Sequence, residues 1–96
     1  MVAYVIFLRE SPIRDPAALE AYRKQLHENP RDPKMKVLAL YGAQHQLEGS
    51  APDGVVVLEF PTVEAAKSWY SSSDYQRAAP HRRKAADYRA FIIEGM

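Results

Sequence analysis

Apolar residues along this chain fall into four short unbroken runs and two stretches where they recur every three or four positions. The first run, Ala3 to Leu8, is β-branched and aromatic, has the length of a strand, and ends at Arg9-Glu10 with Pro12 beyond, predicting β1. Asp15-Pro16 then sets an N-cap residue before a proline at the first helical position, and Ala17, Ala18, Leu19, Ala21, Tyr22 and Leu26 make one apolar stripe. This predicts α1 from about Asp15 to about Glu28, stopped by Asn29-Pro30-Arg31-Asp32-Pro33. Met35 to Tyr41 reads as β2. Gly42 relaxes the chain, and Ala43 to Gly49, with Gln44, His45, Gln46 and Glu48, reads as a more polar strand continuation or bulge.

The turn-rich segment Gly49 to Gly54 closes a hairpin into β3, Val55 to Phe60. Pro61-Thr62 ends that strand. Thr62 caps α2 through Val63, Ala66, Trp69 and Tyr70, with Glu64 in the first turn favouring the helix dipole. Ser71-Ser72-Ser73-Asp74 breaks this helix, and Asp74 caps a short α3 from Tyr75 towards Ala86 that Pro80 bends or restarts. Tyr88 to Glu94 is β4. The order βαββαβ, with the extra α3, predicts an α+β, ferredoxin-like single domain over residues 1–96 with an antiparallel four-stranded sheet.

The strands lack the alternation expected of a sheet with one wet face. Ala3 to Leu8, Val37 to Leu40, Val55 to Leu58 and Phe91 to Ile93 are apolar on both sides. Two helices can cover one face only and the chain leaves nothing else for the second, so a homodimer packed sheet to sheet is expected, forming a dimeric α/β barrel. The competing reading is a monomer whose short strands only look two-sided.

Composition narrows the partners. The formal net charge is +1, and the one basic run, Arg82-Arg83-Lys84, is short, so neither nucleic acid nor an anionic membrane surface is expected as a partner. No apolar run reaches the roughly 20 residues needed to span a bilayer. The apolar N-terminus lacks a basic leader region and reads as a strand rather than a signal peptide, and cytoplasm is taken as the default compartment. The absence of cysteine removes disulfides, thiolate metal sites and cysteine nucleophiles.

Val-Val-Val-Leu-Glu-Phe-Pro at 55–61, Glu64-Ala65-Ala66, Trp69-Tyr70, Ser72, Tyr75-Gln76, Arg82 and the opening Ala3-Tyr4-Val5-Ile6 carry a resemblance across nearly the whole chain. It resembles a family of short bacterial proteins with a domain of unknown function, family thirteen-thirty, in the dimeric α/β-barrel superfamily. The resemblance implies two ferredoxin-like subunits joined sheet to sheet. It leaves function open, since such relatives include cofactor-free monooxygenases, muconolactone-type isomerases, haem-dependent peroxidases and stress-related proteins. Two segments depart from the family pattern. The Arg-Gly-Gly that closes β2 reads Leu40-Tyr41-Gly42, and the Asn-Ser-Pro-Glu-Tyr turn reads Ser71-Ser72-Ser73-Asp74-Tyr75.

Candidate chemistry centres on Tyr75 and Arg82. A guanidinium holds a carboxylate or enolate in bidentate fashion and a phenol donates a hydrogen bond, so the two would orient an anion at a pocket mouth. The structural alternative has Tyr75 packed under its turn and Arg82 paired with an acidic neighbour. His45 is the candidate proton acceptor, against a solvated hairpin residue. His81 and His27 are weaker candidates, and the histidines are not spaced as metal ligands. Glu59 is either an acid or base facing the barrel or the structural ion-pair partner of Arg89. Tyr22 and Tyr70 read as core side chains that line one pocket wall, with Ser72 at its rim. No cofactor is expected.

Two functions follow as expectations. One is a cofactor-free isomerase, lyase or monooxygenase acting on a small hydrophobic carbonyl or aromatic compound. The other is a non-catalytic dimeric binding or stress-response module.

Overall fold

The computed structural model describes residues 1–96. Its elements are β1 (Ala3–Arg9), α1 (Pro16–Glu28), β2 (Lys36–Leu40), β3 (Gly54–Phe60), α2 (Val63–Ser71), α3 (Ser73–Ala85) and β4 (Tyr88–Glu94). The strands form one antiparallel sheet in the order β2-β3-β1-β4. The ferredoxin-like expectation holds. No helix is long and apolar enough to cross a membrane.

Local chemistry sets the helix starts. Asp15 accepts from the Ala18 N–H at 3.0 Å and Thr62 accepts from the Ala65 N–H at 3.0 Å, each satisfying a donor that the helix leaves without a partner. Ser72 caps α3, accepting from the Tyr75 N–H at 3.2 Å and donating to the Trp69 carbonyl at 2.7 Å. Helix α3 therefore begins earlier than predicted, with Ser72 rather than Asp74 as its cap, and runs unbroken through Pro80. Burial of Tyr75, Ala78, Ala79, Arg82 and Ala85 holds the helix together across the hydrogen bond that proline removes.

Strand parity decides the two faces of the sheet. Ala3, Val5 and Phe7 of β1 and Val56, Leu58 and Phe60 of β3 are buried under the helices. Their neighbours Tyr4, Ile6, Leu8, Val55 and Val57 take the opposite face. On that face Ile6 lies across from Phe91, and Tyr4 from Ile93. Phe91 and Ile93 are 43% and 50% exposed, and Leu38, pushed out by a bulge in β2, is 46% exposed. The sheet thus has one packed face and one apolar face that the protomer leaves open.

The predicted continuation of β2 over Ala43–Gly49 is a loop instead. Tyr41 adopts φ 53°, in the left-handed region, and turns the chain out of the ladder, while its N–H still bonds the Val55 carbonyl at 2.9 Å. Polar side chains then close the loop on itself, with Gln44 donating to the Pro52 carbonyl at 2.8 Å. The Glu59–Arg89 ion pair is also absent. Strand β1 lies between the two, Glu59 sits beside Tyr4 and Lys36 on the open face, and Arg89 pairs with Glu10.

The Tyr41 ring lies against Gly54, where an added Cβ would meet Tyr41 Cδ1 at 2.7 Å and Cε1 at 2.9 Å. Gly54→Ala is expected to displace that ring and to lower stability by about 1–3 kcal/mol, read as a reduced melting temperature. Tyr41→Ala in the same chain should recover most of the loss that the clash causes.

Candidate functional site

Seven side chains converge beneath α3 at the end of the sheet where β1 finishes and β4 begins. Tyr75, almost wholly buried, is stacked on Trp69 with ring centroids 4.3 Å apart and on Tyr70 at 5.4 Å. Its hydroxyl shares a hydrogen bond of 3.0 Å with that of Tyr22 from α1. A second pair of phenols, Tyr41 and Tyr88, meets at 2.8 Å. Tyr41 reaches from the end of β2, at one sheet edge, to Tyr88 at the start of β4, at the other edge.

Arg82 is the exceptional residue. It is 4% exposed, it takes part in none of the ion pairs of the fold, and its Nε has no hydrogen-bond partner. Its guanidinium lies between two aromatic rings, 5.1 Å from the centre of Phe7 and 5.0 Å from that of Tyr88. Helix periodicity explains the placement. Tyr75, Ala78, Ala79, Arg82 and Ala85 recur at intervals of one, three and four, so they share the buried face of α3. The expected pairing of Arg82 with an acidic neighbour does not occur.

The electrostatics of the cluster favour neutral phenols. Burial, followed by the adjoining Tyr75 phenol, pushes Tyr22 far above the usual range. Burial likewise raises Tyr41, reinforced by its bond to Tyr88. Tyr75 is also raised by burial, with the nearby positive charge of Arg82 opposing the rise. All three stay protonated at neutral pH. Within each hydrogen-bonded pair one O–H donates to the other, which leaves one phenolic proton per pair to give elsewhere. Two spare phenol protons and a guanidinium without a carboxylate make a group rich in donors and poor in acceptors, buried at Tyr75 and Arg82 and open to solvent at Tyr41. Such a group suits a carboxylate, an enolate or another oxyanion.

A recess of about 360 Å³ opens onto this group, lined by Tyr70, Arg82, Arg83, Ala86, Asp87, Tyr88 and Ala90. At its rim Asp87 is held by Arg14 at 2.8 Å. Deeper in, the space between helices and sheet is filled by Phe7, Phe60, Trp69 and Tyr75.

Of the residues singled out from sequence, Tyr75, Arg82, Tyr22 and Tyr70 come together here. Ser72 contributes as the cap of α3. His45 is exposed in the loop between β2 and β3 and makes no hydrogen bond to the group, and Glu59 lies on the other face of the sheet. His27 is exposed and His81 half-buried, and no group of three His, Cys, Asp or Glu side chains is placed to hold a metal ion. Sequence reasoning passed over Arg9, Tyr41 and Tyr88. A signal for two of them exists in strand parity, since Arg9 continues the series Val5-Phe7 and Tyr88 the series Ala90-Ile92 on the helix-facing side.

None of the curated proteins matches this chain. Among solved structures, it is similar to the RPA0582 protein of unknown function from Rhodopseudomonas palustris, whose methylated form superposes with a TM-score of 0.70 at 20% identity, over 99% of this chain and 81% of that one. It is also similar to a dimeric ferredoxin-like protein of unknown function from Thermobifida fusca, with a TM-score of 0.62 at 19% identity, over 96% and 88% of the two chains. A third structure, described as an antibiotic biosynthesis monooxygenase, gives 0.61 at 15% identity over 100% and 99%. These likenesses carry the fold. The family follows from the sequence itself: residues 2–96 match the domain of unknown function DUF1330, and the chain belongs to that family.

Proposed function

We propose that this protein binds a small, hydrophobic organic anion, the carboxylate or enolate of a carbonyl or aromatic compound, against Arg82 in the recess between α3 and β4. The observation that carries the reading is the buried Arg82 charge without a carboxylate. A guanidinium withdrawn from water costs several kcal/mol unless an anion meets it. The fold supplies two aromatic faces for its planes and leaves its edge for a ligand. In a catalytic form of the proposal, Arg82 and the Tyr75 and Tyr88 phenols stabilise an oxyanion without a cofactor, as an isomerase, lyase or monooxygenase of this type requires. The fold shared with an antibiotic biosynthesis monooxygenase is consistent with that form.

A second reading, a binding module without turnover, is favoured by the lack of a proton acceptor within the buried group. Proton transfer would fall to a residue outside it, such as the Asp87 carboxylate that lines the recess or His45 of the exposed β2–β3 loop. Calorimetric titration with benzoate, salicylate and phenylpyruvate tests the binding that both readings share. Saturable binding is expected, weakened at least ~30-fold by Arg82→Met. Equal affinity in the variant would overturn the anion site. Conversion of a bound compound separates enzyme from module.

The proposal extends to a second copy of the chain. The open sheet face carries Leu38, Phe91 and Ile93 beside Tyr4, Ile6 and Val57, and a like face would cover it. Relatives of this fold are described as dimeric.

A further inference from the structure

Arg9, half-buried where Arg82 is buried, shares the unpaired state of Arg82 two rings away. Its Nε is buried with no hydrogen-bond partner, its guanidinium lies 5.5 Å from the centre of the Tyr41 ring, and it enters no ion pair. Its one side-chain hydrogen bond goes to the backbone carbonyl of Asp53 at 3.0 Å. The cross-strand neighbour of Arg9 is Tyr88, the residue whose ring carries Arg82. The four side chains therefore form one row: Arg9 on Tyr41, Tyr41 bonded to Tyr88 at 2.8 Å, and Tyr88 under Arg82. Of the acids nearby, Glu10 is committed to Arg89 and Asp87 to Arg14, while Asp53 gives Arg9 its backbone carbonyl and its carboxylate enters no ion pair.

We infer that Arg9 and Arg82, joined through the Tyr41–Tyr88 pair, form a two-point anion site, and that the natural ligand is a dicarboxylate whose acidic groups are held apart by an apolar body. This rests on the reading of Arg82 as an anion-binding residue and names the ligand class. Two guanidiniums flanking a pair of phenols repel each other, most strongly where water is excluded at the Arg82 end. One carboxylate relieves only one of them. The guanidiniums stack on different rings, so they suit two separated acidic groups better than one doubly charged group such as a phosphate. Flat aromatic walls on both arginines favour a planar or unsaturated body between the acids.

The test uses the full chain, with benzoate, isophthalate and phenyl phosphate as probes and Arg9→Met, Arg9→Gln and Arg82→Met as variants. Isophthalate should bind the wild type ~10-fold more tightly than benzoate. Arg9→Met should erase that advantage and leave benzoate within about twofold. Arg82→Met should weaken both. If Arg9→Met fails to fold, Arg9→Gln, which retains a donor for the Asp53 carbonyl, gives the same readout. Isophthalate binding no tighter than benzoate, with benzoate still dependent on Arg82, overturns the two-point site and leaves the single anion site standing. Phenyl phosphate binding more tightly than isophthalate, and depending on both arginines, overturns the separated-acid ligand in favour of one dianionic group. Failure of every probe to bind overturns both readings.

Discussion

Arg82→Met is expected to remove anion binding while leaving the unliganded protein at least as stable as the wild type. The two effects run opposite to those of an ordinary core substitution. In the free protein the methionine keeps most of the apolar stem and removes a charge that is 4% exposed and has no acidic partner. The lost contacts are those with Phe7 and Tyr88, about 1 kcal/mol each. The desolvation cost relieved is several kcal/mol. Thermal unfolding without ligand should therefore show an unchanged or raised melting temperature. With ligand the balance reverses, because truncating one partner of a desolvated charge pair costs about 2–5 kcal/mol, or roughly 30-fold to more than 1,000-fold in affinity. Arg82→Lys should fall between, since it keeps the charge and loses the planar fork and the stacking. A variant that unfolds early and still binds would show that Arg82 serves the fold rather than a ligand.

Phe91→Glu combined with Ile93→Glu is expected to convert a dimer into folded monomers. Both side chains stand on the open face, opposite Ile6 and Tyr4, and neither belongs to the core beneath the helices. In an interface with two-fold symmetry each substitution occurs twice. Burial of each large apolar side chain contributes about 1.5–3 kcal/mol, and carboxylates placed there add their own desolvation cost. The dissociation constant should rise by at least ~1,000-fold. Sedimentation at micromolar concentration reads the change, and circular dichroism should report unaltered secondary structure. A wild-type protein that sediments as a monomer under these conditions would refute the sheet-to-sheet assembly.

Local signals carried the fold a long way. Asp15-Pro16 and Thr62 begin helices where a capping oxygen finds an N–H three residues on, an interaction contained within one turn. Apolar runs of strand length located all four strands, and the order of elements was sufficient for the sheet. Local reading failed where a side chain from elsewhere decided the backbone. Tyr41 leaves β2 in a left-handed conformation as its ring lies on Gly54 and its hydroxyl reaches Tyr88, which is 47 positions away. Pro80 reads as a break in α3, yet packing on both sides of it carries the helix through.

The candidate site divides along the same line. Tyr75 and Arg82, seven residues apart on one helix, can be recognised as a pair because helical periodicity places them on a common face. The sequence by itself determined the element order, the helix caps, the two-sided apolar strands and that pair. Each rests on interactions within a turn or along one strand, whose period the chain carries openly. Only the tertiary structure decided that Arg82 is buried without a carboxylate, that Arg9 and Tyr88 are neighbours, and that Tyr41 spans the end of the sheet. Those facts depend on strand register and on which residues from opposite sheet edges meet above it, and no periodicity in the chain encodes such a meeting.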